Sequence, residues 1–331
     1  MTTVSPAIVH IGYHKTATTW FQERFYPTVV SHRYLPCKKV REALVHPHAF
    51  AFDAQMAHER LELEYGLPPI LCEEELSGSF YTGGHMGALS KELAERVWRV
   101  MPQAQIVVFI RHQVDIIAAA YAQYVKQGGT YGPTHFLFPG RHHKGPWRMP
   151  YKMPLFAFEH FAYLGLIRHY RALFGPERVH VFAYEALRQD PRGFLADYAQ
   201  RLNLQVDWQR LDLSATNSSY RHRTLQLARI FNHLTYRNVA YKRYLLSISS
   251  YRYLERLIGW FDTTPMAGHK LAARDLLGSE IVAHIEQFYA DSNRMLAAET
   301  GLPLAAYHYP GLATERVERP SNDRELKTNH L

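Results

Sequence analysis

One ammonium group, several hydroxyls and a run of main-chain amides crowd a single short stretch, Gly12-Tyr13-His14-Lys15-Thr16-Ala17-Thr18-Thr19-Trp20. An apolar run, Ala7 to Gly12, leads into it. A helical pattern leaves it at Thr18 and continues to Tyr26, where Pro27 stops it. A strand, a tight turn and a helix N-terminus aim free N–H groups at one point, and the helix dipole adds partial positive charge there. Lys15 contributes a full charge, and Thr16, Thr18 and Thr19 contribute donors. These residue types in this order make a phosphate cradle. It is not the two-glycine G-x-x-x-x-G-K-[ST] loop, because Gly12 stands three residues before Lys15 and no second glycine follows. A shorter cradle suits the innermost phosphate of a nucleotide better than a triphosphate chain.

Two other segments carry chemistry just after apolar runs. Cys72-Glu73-Glu74-Glu75-Leu76-Ser77-Gly78 offers three adjacent carboxylates. A partly desolvated carboxylate beside a cationic site can serve as a general base. Read blandly, the same acids are a charge cluster at a helix N-terminus. His14 is a further candidate base. Arg111-His112-Gln113 follows the clearest apolar run, and a guanidinium fork there matches the bidentate geometry of a phosphate. Twenty histidines invite a metal reading, but there is no H-E-x-x-H, and His10 and His14 fall on a strand and a turn rather than on one helix face. No metal site is expected.

These segments must be positioned by the elements between them. Short apolar runs at Ala7–Gly12, Pro69–Cys72, Gln105–Ile110 and Arg178–Tyr184 read as strands covered on both faces. Helical patterns cover Thr18–Tyr26, Ala54–Glu64, Leu89–Met101, Val114–Lys126, Phe158–Phe174 and Pro191–Leu202. The alternation predicts an α/β fold: a P-loop-like doubly wound parallel sheet flanked by helices, with a mostly helical C-terminal part. Ligands of such sheets bind beyond the carboxyl ends of the strands, where all of the segments above lie. We expect a single domain over residues 1–311 and a polar tail over 312–331. Within the domain, 128–154 is a loop rich in glycine, proline and aromatic residues, with Tyr131, Phe136, Phe138, Trp147 and Tyr151 suited to close over an acceptor. Residues 220–261 form a basic, tyrosine-rich helical segment whose only acid is Glu255.

Composition sets the outer bounds. The 331 residues are 47% hydrophobic and 21% charged, which excludes disordered and low-complexity classes for the whole chain. Two cysteines, Cys37 and Cys72, without a CxxC exclude a disulfide scaffold and a cysteine-rich zinc site, and suit a reducing compartment. The first residues lack a signal-peptide pattern and no apolar stretch is long enough to span a bilayer, so a cytoplasmic location is expected. The net charge of +8 favours an anionic partner without selecting one. A nucleic acid is not expected, because no recognition motif accompanies the charge.

GYHKTATTW resembles the 5′-phosphosulfate loop of the sulfotransferases that use 3′-phosphoadenosine-5′-phosphosulfate (PAPS). The resemblance extends to Arg111-His112-Gln113 with the helix after it, to Glu74-Glu75-Leu76-Ser77-Gly78, to Tyr184-Glu185-Ala186-Leu187, to Thr216-Asn217-Ser218, to Ser292-Asn293-Arg294 and to Tyr309-Pro310. It implies a PAPS co-substrate, adenosine 3′,5′-bisphosphate as product and no metal. It implies Lys15 at the leaving phosphate, Glu74 as base with Glu73 or Glu75 as other registers, Arg111 on the 3′-phosphate, Tyr184 on the adenine and Trp20 stacked on the base. Bacterial members suggest a saccharide or glycolipid hydroxyl as acceptor. Two departures stand out. The family glycine is Ala17, which is costly if φ is positive there, and a family serine is Ala119, which removes a hydroxyl donor. Arg221 or Arg223 could complete the 3′-phosphate site. Otherwise the basic segment is a solvated helix face, or a surface for an anionic lipid or glycan at the inner face of a membrane. A P-loop-type kinase and a non-catalytic module binding anionic glycans or membranes are the alternatives. Oligomeric state is not readable.

Overall fold

A computed structural model describes residues 6–80, 83–139, 156–214, 220–235, 242–243, 245–246, 251–270 and 272–312. Five parallel strands form its sheet: β1 (Ile8–His10), β2 (Arg33–Leu35), β3 (Pro69–Cys72), β4 (Gln105–Ile110) and β5 (Val179–Ala183). The order is β2-β3-β1-β4-β5. Ile8 pairs with Ile70 on one side and Gln105 on the other, and Ile110 pairs with Ala183. From β1 the chain passes to the edge strand β2, returns to β3 beside β1, then crosses to β4 and runs outward to β5, so strands flank β1 on both sides as the doubly wound reading predicts. Because all pairs are parallel, the segments after β1, β3, β4 and β5 emerge at one edge.

The principal helices are α1 (Thr18–Trp20), α2 (Ala54–Leu61), α3 (Ala88–Val100), α4 (Gln113–Lys126), α5 (Leu164–Phe174), α6 (Pro191–Arg201), α7 (His222–Phe231), α8 (Tyr251–Thr263) and α9 (Ser279–Thr300). The strands alternate their side chains between two buried clusters. Val9, Leu71, Ile106, Val108, Ile110 and Val181 enter one. Ile8, Ile70, Cys72, Val107, Phe109 and Phe182 enter the other, with Trp20, Phe21, Phe25, Tyr26 and Tyr198. Both faces are therefore covered, which is why the strands read as unbroken apolar runs.

Several local expectations change. β2 went unread because Arg33-Tyr34-Leu35 is three residues long with no apolar run. The pattern over Thr18–Tyr26 is α-helical only to Trp20. It widens to a π-turn over Phe21–Phe25, with the Tyr26 amide bonded to Phe21 O, and tightens to a 3-10 turn over Tyr26–Thr28. Pro27 lacks the N–H to continue, and the widening lets Phe21, Phe25 and Tyr26 all reach the aromatic cluster. Phe158–Phe174 divides into a 3-10 turn, Phe158–Phe161, and α5, because Ala162 leaves helical geometry at ψ 72°. The basic segment is helical at α7 and α8. Of the aromatic loop, Phe136 is buried on Tyr124 at 4.5 Å and Phe138 lies against Phe158 and His284. Trp147, Tyr151, His142, His143, Thr216–Ser218, Arg237 and residues 313–331 lie outside the described residues.

Candidate active site

The cradle follows β1 directly. Gly12 has φ 64°, Lys15 φ 66° and Ala17 φ 72°, with right-handed or extended residues between them. Alternating handedness of this kind turns successive amides toward one concavity, an anion-binding nest. Among the described residues, the amides of Lys15, Ala17, Thr18 and Thr19 make no main-chain hydrogen bond. Thr16 is buried and its hydroxyl donates to Tyr13 O, which braces the turn. The Thr18 hydroxyl is buried with no partner. Gly12 is required twice over. Its φ disfavours a side chain, and a Cβ there would meet Thr18 Oγ1 at 3.2 Å and Glu74 Cβ at 3.5 Å. Ala17 adopts a left-handed conformation that glycine meets at no steric cost, so an alanine at this position carries a backbone cost.

Lys15 is exposed as a residue, but its ammonium lies among protein atoms and donates to Gln123 Oε1 at 2.8 Å. Desolvation lowers its pKa. Glu74 opposes that shift as the strongest nearby charge, while Lys126 and Arg111 add to it. Three cations thus converge where one anion would relieve them. Arg111, at the end of β4, donates through Nη1 to Lys15 O at 2.9 Å, and its guanidinium lies 4.9 Å from the Tyr184 ring centroid. Residues from the ends of β1, β4 and β5 meet directly.

The three acids after β3 diverge. Glu73 is fully buried, forms an ion pair with Arg41 Nε at 2.8 Å and caps the Glu75 amide. Burial pushes its carboxyl up against the opposing effect of Arg41. Glu75 meets His14 Nε2 at 3.4 Å. Burial would raise the Glu75 carboxyl, but the hydrogen bond and charge of His14 outweigh it and hold the group below its usual range. Glu74 is half-buried, backs directly on Gly12 and is the acid most strongly coupled to Lys15. His14 is buried, stacked on Phe80 at 4.7 Å, and its Nδ1 has no partner. His160 nearby is pushed down to about 3, first by burial and then by His14.

The remaining predicted residues separate. Trp20 is 9% exposed, packs on Phe21 and Phe25 and donates Nε1–H to Ser214 O at 3.1 Å, so in this structure it is core. Ala119 is half-buried on α4, one turn before Gln123. The Arg221 amide donates to Asp262 and its guanidinium to Thr264 O, and Arg223 is exposed beside Gly268. These bonds tie Arg221 to the end of α8.

The sequence places Gln123 and Lys126 in the segment after Arg111 without assigning either a role in the site. Their signal is periodicity: Ala119, Gln123 and Lys126 fall at i, i+4 and i+7, one helix face. Nor does the sequence show the frame around Arg111. Tyr163 OH donates to Arg111 O at 2.6 Å, and the His112 amide donates to Glu185 Oε1 at 2.8 Å. Glu185 also accepts from Tyr309 OH at 3.0 Å, and buried Gln113 and Asn293 exchange amide hydrogen bonds at 2.8 and 3.1 Å. No local pattern announces such contacts, because their partners lie tens to hundreds of residues away.

No family model matches the chain, and no curated protein matches it. Among solved structures it is similar to a sulfotransferase from Alicyclobacillus acidocaldarius, with 14% identity, 92% of this chain and 98% of that chain covered and a TM-score of 0.53. It also aligns with mouse sulfotransferase SULT7A1 complexed with PAP, at 13% identity, 92% and 89% coverage and a TM-score of 0.41. A third alignment is with the sulfotransferase domain from the curacin biosynthetic pathway, at 12% identity, 86% and 98% coverage and a TM-score of 0.37. The first shows a shared P-loop-like α/β fold, and the other two superpose too loosely to add to it.

Proposed function

We propose that this protein is a PAPS-dependent sulfotransferase acting on a hydroxyl acceptor, with a saccharide or glycolipid as the acceptor class. The observation that carries the reading is the direct bond between Arg111 and the carbonyl of Lys15, which couples a guanidinium fork to an amide nest at one sheet edge. Such a pair fits a ligand with two separate phosphate groups. Adenosine 3′,5′-bisphosphate and its sulfated precursor have them: the 5′-phosphate lies in the nest and the 3′-phosphate on Arg111, with Tyr184 beside the purine. Gln123 supplies a polar group one turn beyond the missing hydroxyl of Ala119 and holds the Lys15 ammonium.

In the reaction, an acceptor oxygen attacks sulfur in line as the bond from sulfur to the bridging phosphate oxygen breaks. Positioning and charge neutralisation carry most of the catalysis, as in phosphoryl transfer. Lys15 and the nest amides hold the negative charge that grows on the departing phosphate. Glu74 accepts the proton of the acceptor hydroxyl. Glu73 is tied to Arg41 and Glu75 to His14, which leaves Glu74 as the carboxylate adjoining the nest. The free thiols of Cys37 and Cys72 suit a cytoplasmic location.

The decisive test measures transfer of labelled sulfate from PAPS to cell extract. Lys15→Ala should abolish transfer while thermal unfolding stays unchanged, and near-normal turnover would refute the assignment. Mass spectrometry of the extract, seeking a gain of SO₃, identifies the acceptor. Calorimetry separates the kinase alternative, which requires tighter binding of ATP–Mg than of adenosine 3′,5′-bisphosphate.

A further inference from the structure

We propose that the outer face of α8 docks the protein onto an anionic lipid surface. An ordinary surface helix buries one apolar stripe and turns polar residues outward. In α8, Ile258 is buried and Leu254 packs against the main core. A second, neighbouring face is also apolar: Tyr253 is 74% exposed, Leu257 54% and Trp260 64%. Their spacing of i, i+4 and i+7 places them in one line along the helix. Arg256 is exposed beside them. Met266, just past the helix, and Leu245 and Leu246, whose amides bond to His233 O at the end of α7, are likewise more than half exposed.

Charge selects the occupant. Of the cations in residues 220–261, Arg223, Arg243 and Arg256 are exposed, while Arg221, Arg229 and Lys242 are bonded to Thr264 O, the Tyr121 hydroxyl and main-chain carbonyls, and the one acid of that stretch of sequence is Glu255. Pairing this face with a second copy would set cations against cations. A polyanionic glycan would use the cations but would leave Tyr253, Leu257 and Trp260 without a role. A bilayer rich in acidic lipids uses both. Aromatic and aliphatic side chains enter the headgroup boundary, while arginine stems lie along it with their charges at the phosphates. The helix is also held rigidly to the fold, since Asp262 accepts the Arg221 amide at 2.8 Å and Arg221 reaches Thr264 O. The docking does not depend on which reaction the protein catalyses.

The test is co-sedimentation of the full chain with phosphatidylcholine vesicles, with and without about 30% phosphatidylserine, near physiological salt. Binding should be at least about tenfold tighter to the anionic vesicles. The double variant Leu257→Glu/Trp260→Glu should lose at least about tenfold of it, because charged residues resist burial in the interface. Arg256→Gln should weaken binding less and reduce its salt dependence. Should the double variant fail to fold, brominated lipids provide a second readout: they should quench the parent's fluorescence, and Trp260→Phe should remove that quenching. The proposal is overturned if the parent does not bind anionic vesicles or if the folded double variant binds as the parent does. It is equally overturned if the parent is a dimer that the double variant dissociates, or if only heparin binds.

Discussion

Replacing Arg111 by lysine keeps the charge and removes the fork, so it separates geometry from simple attraction. In the structure one arm of the guanidinium is committed to Lys15 O at 2.9 Å, and the plane lies over Tyr184 at 4.9 Å. The other nitrogens remain for a phosphate. A lysine ammonium at this position can brace the nest or reach the ligand, but it lacks the planar shape to do both. The lost charge-assisted bond is worth about 1.5–3 kcal/mol. The lost stack is worth about 0.5–1 kcal/mol. At about 1.4 kcal/mol per tenfold, Kd for adenosine 3′,5′-bisphosphate should rise from about 30-fold to several-hundred-fold, and partial exposure of the site favours the lower end. Titration calorimetry measures it, with thermal melting to verify the fold. Lys126→Ala is the control. Lys126 contributes charge near Lys15 and lies 5.5 Å from the Tyr220 ring centroid, so its removal should cost less than about tenfold and should fade with salt. If Arg111→Lys binds within about threefold of the parent, the fork argument fails.

Four further outcomes are expected. Glu74→Gln should lower turnover by about 10²–10⁴ while leaving nucleotide affinity nearly unchanged; if Glu75→Gln does this instead, the base is misassigned. Ala17→Gly should be far less destabilising than Ala→Gly in a helix, because φ 72° already penalises the alanine by about 1–2 kcal/mol. The reference is Ala196→Gly on the exposed face of α6, which should cost about 1 kcal/mol, and equal urea midpoints for the two variants would count against the left-handed turn. Nucleotide affinity should be flat where the Lys15 ammonium is fully charged and should decline as pH rises through its lowered pKa, with proton uptake on binding in calorimetry; affinity unchanged up to the ordinary lysine range would oppose this. Burial drives His10 and His160 down to about 3, so both stay neutral when folded while the unfolded chain takes up protons near 6.5. Stability should therefore be full above that value and should fall on acidification by about 1.4 kcal/mol per pH unit for each histidine, and His160→Gln should reduce the slope of the urea midpoint against pH.

The sequence alone determined the parts that depend on residue type and local period. Apolar runs bounded by turn residues specify β3 and β4 to the residue, and β1 and β5 to within a residue or two at each end. The order strand–Gly12–Lys15–Thr–helix predicts an anion site, because amides, an ammonium and a dipole are brought together by residues close in sequence. The period of α4 already places Gln123 and Lys126 on one face with Ala119. Tertiary structure decided everything set by distant partners. Which of Glu73, Glu74 and Glu75 adjoins the nest depends on where Arg41 and His14 stand, since each claims one carboxylate. Whether Ala17 is strained depends on the φ angle, 72°, that the folded turn between β1 and α1 adopts. Arg221 joins α8 because Asp262 and Thr264 come within reach only after the chain has folded. Local sequence chooses an element and the groups it carries, but a side chain's direction is settled by long-range contacts that no short window of sequence contains.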